Sequence, residues 1–494
     1  MSLVIIGGGV IGLSIAYYTS LAQPGRRIII IDSEERLLES ASGFSGGYIV
    51  RDWFSPAVLA LAELSFRLHR DLADANDGRR QWGYSESVAF SLVVEQSTGA
   101  GSDGETKTVR GEDWLLHGTS RAEVAKQYAA IPAVESQKQD QARQARKQDD
   151  LLRLDGSPVW ANVPESGHLE RISSPSGCAQ VEPRELCEWL LQQCQAHGVQ
   201  ILLGTEVRGL VRDGRGQVVG VEAERRERHP QGGSGRSRRK TGQIGEKLFV
   251  PARDIVVSAG CWTPSVYHTL VGSPIPIGIR PLPGYSIVVR CPRYHRPIMW
   301  LHDQGQEIEA CHSIFCPPTS GWTYSPEAMA RMTRAGIPEI YVAGLNSEQT
   351  PLPRLASHSR RLMDPSKMRD LKRTAVALTG RRPQTGTDAV GTVSPEDDLE
   401  VVREALCFRP VSESGIPIIS RVAEVETSGG GGLYVASGHG PWGITLSLGT
   451  GMVVSQLLRG IAPSVSVDAF ALGPPAMKPK PSTLRPDDPV PAKL

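Results

Sequence analysis

The chain has 494 residues, 40% of them hydrophobic, and its 54 Lys plus Arg balance 53 Asp plus Glu to a net charge of +1. That apolar content suffices for large cores and excludes a mostly disordered chain; the balanced charge gives no global field to draw nucleic acid or an anionic membrane. Glycine is plentiful, 52 residues without collagen periodicity, which points to tight turns and close backbone approach to a ligand.

Residues 3–6 form a short apolar run entering Gly7-Gly8-Gly9, residues 10–21 read as a buried helix, and Arg27–Ile31 reads as a second buried strand. This βαβ start carries Gly7-x-Gly9-x-x-Gly12, and Asp32 closes the second strand 20 residues later. The first glycine permits the turn, the second lets a pyrophosphate approach the backbone, and the third lets helix pack on strand. The helix N-terminus offers free N–H groups and partial positive charge to phosphates. Asp32 suits ribose hydroxyls and disfavours a 2′-phosphate, so the loop predicts NAD or FAD.

Farther along, 180–197 reads as a helix stopped by Gly198, and 199–203, 206–212 and 218–223 read as strands. Residues 254–258 form a buried strand before Ala259-Gly260, 433–436 another before Ser437-Gly438-His439-Gly440, and 444–459 a helix. Strands alternating with helices predict an α/β protein. Three stretches look inserted: 95–111, rich in Gly, Ser and Thr; 135–150, a solvated helix or linker; and 224–247, a basic hairpin tip between Val221 and Phe249. The basic run is expected to be solvated, without nucleic acid.

Eight cysteines are spread thinly with no C-x-x-C, and Cys311, His312 and Cys316 have no second half-site, so reduced thiols and no metal are expected. No apolar run reaches the ~18 residues, free of polar interruption, of a membrane span. The Pro-rich stretch 473–491 has little reason to fold. The final Ala492-Lys493-Leu494 is a variant of the Ser-Lys-Leu address, which predicts a peroxisomal protein met by an import receptor, or a cytoplasmic one if the tripeptide is accidental.

Gly438, Gly440 and Gly443 leave backbone bare, as a flat ring requires, and a helix opening near Thr445 would point its N-terminus at an anionic reduced ring. Four segments resemble the D-amino acid oxidase-type flavoprotein superfamily, which includes glycine oxidase and monomeric sarcosine oxidase. They are the N-terminal βαβ; Ala41-Ser42-Gly43-Phe44-Ser45-Gly46-Gly47; Ile255-Val256-Val257-Ser258-Ala259-Gly260-Cys261-Trp262; and Phe408-Arg409-Pro410 through Gly415-Ile416-Pro417-Ile418-Ile419, followed by 438–445. The Ser-Gly-Gly loop followed by Asp52-Trp53 is similar to a fungal subgroup.

The resemblance implies FAD, held by Gly7, Gly9, Val10, Ile11, Gly12, Asp32, Ser33, Ser42, Ser45, Gly46, Val207, Ala259, Gly260, Trp262, Gly438, Gly440, Gly443, Ile444 and Thr445. It implies a discontinuous Rossmann-like FAD-binding domain of glutathione reductase type near 1–84, 170–275 and 396–475. A second, α+β substrate domain on an antiparallel sheet would use 85–169 and 276–395, with 476–494 a disordered tail. The implied reaction is oxidation of an amine or amino acid: hydride passes from the carbon α to nitrogen to flavin N5, the imine hydrolyses, and O2 reoxidises the flavin to give H2O2. Arg409 is expected to bind a substrate carboxylate; Pro441 stands where the family carries a second arginine. Trp442 and His439 would flank the flavin and Tyr285 would floor the site. Cys407 lies about where sarcosine oxidase-like members bond the flavin covalently, but its Cys-Phe-Arg-Pro context is closer to non-covalent members. Two alternatives stand: a flavin dehydrogenase with another electron acceptor, and a non-catalytic trafficking or regulatory protein that keeps FAD as a structural element.

Overall fold

The structure, a computed structural model, describes residues 2–97, 106–110, 151–153, 156–164, 167–173, 175–226, 245–272, 277–301, 307–319, 321–347, 349–382 and 395–472. The βαβ start forms as strand Ser2–Ile6, helix Val10–Ala22 and strand Arg27–Ile31. Ser2–Ile6 pairs in parallel with Arg27–Ile31 on one side and with Asp254–Val257 on the other. Asp254–Val257 pairs in parallel with Gly431–Ser437, and Arg27–Ile31 with Gln200–Leu202.

These strands are apolar on both faces because both faces are covered. Leu3 and Ile5 enter the core beneath helices Val10–Ala22, Pro183–Ala196 and Gly443–Leu458. Val4 and Ile6, one residue out of phase, enter the opposite core with Val218, Val221 and Val250. That second face is covered by the antiparallel strands Thr205–Arg212, Val218–Arg225 and Glu246–Pro251. The hairpin expected between Val221 and Phe249 is present, with Val221 opposite Val250 and Arg225 opposite Glu246. Its basic tip, 227–244, lies outside the described residues, as do 111–150 and the tail 473–494 with its terminal tripeptide.

The helix expected over 180–197 starts later, at Pro183, and Cys178–Gln180 is a strand. The side chain of Glu182 accepts the Glu185 N–H at 2.8 Å, and Pro183, which lacks an N–H to satisfy, opens the first turn.

The second sheet has eleven strands among the described residues. Its central run is Glu400–Ser412, Ile279–Arg290, Pro338–Asn346, Glu327–Met332, Glu307–Phe315 and Ser85–Ser97. It is mixed, not wholly antiparallel: Ser85–Ser97 and Glu307–Phe315 run parallel. Strand Glu400–Ser412 lies in this sheet although sequence grouping put it with the first unit, because it pairs along Ile279–Arg290 from Ile279 opposite Ser412 to Arg290 opposite Glu400. One sheet face carries a core with helix Pro365–Thr379; the other faces the glycine loop. Among the described residues no helix is long and apolar enough to cross a membrane.

Candidate active site

A cavity of about 720 Å³ runs between the two sheets, from the glycine loop to strand Glu400–Ser412. At its nucleotide end Gly7 has φ +107°, and a Cβ there would lie 2.6 Å from the Ser258 carbonyl oxygen. A Cβ on Gly12 would lie 2.0 Å from the Gly7 oxygen, so Gly12 seats the helix on the loop and does not itself line the cavity. Gly7, Gly9, Val10, Ile11, Asp32, Ser33 and Val207 do line it. The Gly8 and Glu34 N–H groups donate to the two Asp32 carboxylate oxygens at 2.8 and 2.9 Å. Burial pushes the Asp32 pKa up, against the lowering effect of those two N–H groups.

Ser42 has a second job: its hydroxyl accepts the Val10 N–H at 3.0 Å and ties the 41–47 loop to the helix start. Ser45 also lines the cavity, and its buried hydroxyl oxygen finds no partner among the described residues. Such an orphan is rare in a folded chain and marks a place for a ligand's polar atom.

At the far end Ala259, Gly260 and Trp262 form one wall, and the Trp262 indole is pinned to the Pro353 carbonyl at 2.8 Å. Gly46, Gly440, Gly443 and Ile444 line the same space. The last helix begins at Gly443 rather than Thr445, and no side chain caps it. Thr445 is buried in its first turn, donating to the Tyr48 carbonyl at 3.1 Å; neither Thr445 nor Gly438 lines the cavity. His439 does reach it. Its Nε2 lies 3.0 Å from the Thr450 hydroxyl, and burial pushes its pKa down to about 3, so the ring is neutral. Trp442 lines the cavity and packs against Phe54, ring centroids 4.8 Å apart.

Strand Glu400–Ser412 presents Cys407 and Arg409 to the cavity. Arg409 Nη1 donates to Asn346 Oδ1 at 2.8 Å, over a bare Gly284 whose Cβ would lie 3.0 Å from both Arg409 Nη2 and Asn346 Oδ1. Among the described residues Arg409 enters no salt bridge. Burial opposes its charge, but Tyr341, Glu327 and Cys407 outweigh that and raise its pKa. Cys407 is 4% exposed, and burial pushes its thiol pKa up against the pull of Arg409 and Arg403.

Tyr285 is a correction. Arg280 and Leu282 of its strand line the cavity; Tyr285, on the opposite parity, points into the other core, where its hydroxyl accepts the Asp364 N–H at 3.1 Å. The structure adds residues the sequence reading missed: Tyr48, Phe315, Glu327, Met329, Tyr341 and Asn346. Tyr48 follows the Ser-Gly-Gly loop and so carried a local hint; Phe315, Glu327, Met329, Tyr341 and Asn346, within or at the ends of strands, carried none.

The family model for FAD dependent oxidoreductases (DAO) matches residues 2–457. The chain belongs to the DAO family. A Schizosaccharomyces pombe protein named as an oxidoreductase is 24% identical over 477 residues, covering 94% of this chain and 96% of its own. Among solved structures, glycine oxidase from Geobacillus kaustophilus is similar with a TM-score of 0.58 and 17% identity, covering 95% of this chain and 98% of its own. Iminodiacetate oxidase from Chelativorans sp. BNC1 is similar with a TM-score of 0.57, the same identity and the same coverage. The DAO-family chain is an FAD-dependent oxidoreductase, and its cavity suits that cofactor: a loop where a Cβ on Gly7 or Gly12 would collide with backbone, Asp32 at one end, and a Ser45 hydroxyl without a partner among the described residues.

Proposed function

We propose that this enzyme oxidises an amine or amino acid that carries a carboxylate, and that O2 takes the electrons and leaves as H2O2. The observation that carries the reading is Arg409: a charged guanidinium in the FAD cavity, held at one nitrogen by an amide and engaged by no carboxylate among the described residues. A guanidinium so placed holds a substrate carboxylate bidentately and fixes the position of the carbon next to it. FAD supplies the hydride acceptor. His439, kept neutral, adds no charge to the cavity wall, and Trp442 on Phe54 forms an apolar part of that wall that would exclude water. The two solved neighbours are named for glycine and iminodiacetate, both carboxylate-bearing amines.

Anaerobic mixing of the holoenzyme with a library of amines and amino acids tests this. Flavin bleaching by carboxylate-bearing amines, then peroxide on admission of O2, supports it. Bleaching without O2 turnover would make the enzyme a dehydrogenase, and no bleaching by any member would leave FAD as a structural element. For the compartment we propose the peroxisome, from the terminal Ala492-Lys493-Leu494; an N-terminal fluorescent fusion that is diffuse with or without these residues would overturn it.

A further inference from the structure

Among the described residues five carboxylates line the cavity, and four of them are already engaged. Asp32 accepts two backbone N–H groups. Glu34 accepts the Ser357 N–H at 2.9 Å. Glu39 faces Arg360 at 3.9 Å, and Glu206 pairs with Arg208 and Arg354 at 3.1 and 2.8 Å. Glu327 alone has no hydrogen-bond donor or salt-bridge cation among the described residues.

Its surroundings explain why. Glu327 opens strand Glu327–Met332, whose odd positions Glu327 and Met329 face the cavity while Ala328 and Ala330 enter the other core. Its cross-strand partners are Phe315 on one side and Ala343 on the other, both buried and neither offering a side-chain donor. Arg409 feels the Glu327 charge, yet the two stay outside salt-bridge range, more than 4.0 Å apart. A half-buried carboxylate between an aromatic ring and a methyl group loses hydration with nothing among the described residues to replace it. Across the cavity face stands a cation that is also without a carboxylate.

We infer that Glu327 binds an ammonium group of the substrate, so that Arg409 and Glu327 together select a molecule carrying a carboxylate and a cationic nitrogen. The inference rests on the amine-oxidising reading for its choice of ligand. The ammonium is either the nitrogen that is oxidised or a second, side-chain cation. In the first case the carboxylate is also the acceptor for the proton the substrate nitrogen must lose before its C–H bond breaks; the proton moves from N to a Glu327 oxygen and no electrons move in that step. A plain carboxylic acid satisfies Arg409 but leaves Glu327 bare.

The test measures binding apart from turnover. Holoenzyme is mixed anaerobically with glycine, lysine, acetate and hexanoate, and affinity is read from the perturbation of the flavin spectrum that precedes any bleaching. Wild type is expected to bind each amino acid more tightly than its matched acid. Glu327→Gln is expected to lose about 10- to 100-fold in amino-acid affinity, the scale of a hydrogen bond to a charged group, with the acids changed less than about 2-fold. Equal losses for glycine and lysine assign the reacting nitrogen to Glu327; a loss confined to lysine assigns a second cation. An equal loss for acids and amino acids, no loss, or no binding of amino acids by wild type overturns the inference. If Glu327→Gln fails to retain flavin, Glu327→Asp serves in its place: it keeps the charge but withdraws it by one methylene, and must still weaken amino acids more than acids. Glu327-dependent binding without bleaching would sink the oxidase reading and leave this one standing; bleaching with unchanged affinity in the variant would do the reverse.

Discussion

A single atom decides much at the glycine loop. Gly12→Val would put carbon 2.0 Å from the Gly7 oxygen, and the loop cannot yield because Gly7 is itself wedged against Ser258. We expect that variant to purify without flavin absorbance; a wild-type flavin-to-protein ratio would refute this account of the loop. If Arg409 holds the substrate carboxylate as proposed, Arg409→Ala should lower affinity for carboxylate ligands by about 30- to 1000-fold, roughly 2–4 kcal/mol, while flavin content stays level. Unchanged affinity with full flavin would make Arg409 structural. Cys407 is a buried thiol kept protonated, so acid precipitation should leave the pellet colourless and the flavin in the supernatant; a yellow pellet that turns colourless in Cys407→Ser would establish a covalent link. The glycine loop, Asp32 and Arg409 were legible because each sits in a short motif whose neighbours share its task. Glu327, Tyr341 and Asn346 were not, since they reach the cavity only through the register of three strands. Tyr285 shows the converse: its strand was legible, but a shift of one residue sends a side chain to the wrong face.

At the scale of elements, helix Pro56–Ala75 fixes the start of helix Gly443–Leu458. The Ser65 hydroxyl donates to the Thr445 carbonyl and accepts the Gly449 N–H at 3.0 Å, and His69 Nε2 donates to the Ile444 carbonyl at 2.9 Å. Thr445, expected at the cofactor, instead belongs to this clamp through its bond to Tyr48. The helix was legible from its apolar run to within a residue of each end, but its partner helix, some 380 residues away in sequence, was not. Ser65→Ala removes both of these bonds from a buried helix contact and should cost about 1–3 kcal/mol in urea unfolding. A variant as stable as wild type would mean the clamp adds nothing to the packing already there.

The whole molecule should be sensitive to mild acid. Burial lowers the His69 pKa to about 4 and the His439 pKa to about 3, against about 6.5 in an unfolded chain. Above pH 6.5 both states carry neutral rings and the full stability is present. As pH falls below 6.5 the unfolded chain gains protons that the folded chain refuses, so stability drops at about 1.4 kcal/mol per pH unit for each ring, down to about pH 4 for His69 and pH 3 for His439. Urea midpoints at pH 7.5 and 5 should differ accordingly, and His69→Gln should flatten the slope; an identical slope in that variant would acquit the histidine. Strand order has a consequence of another kind. One of the two neighbours of Ser2–Ile6, Asp254–Val257, is synthesised some 250 residues after it, and the Gly440–Ile444 wall more than 430 residues after Gly7. At ~5–20 residues per second the glycine loop waits on the order of a minute before it has a cavity to belong to. The nascent chain therefore has an apolar strand to shield and an incomplete nucleotide site until Ile444 has been made, so a growing chain shorter than that has only part of the wall that FAD would meet.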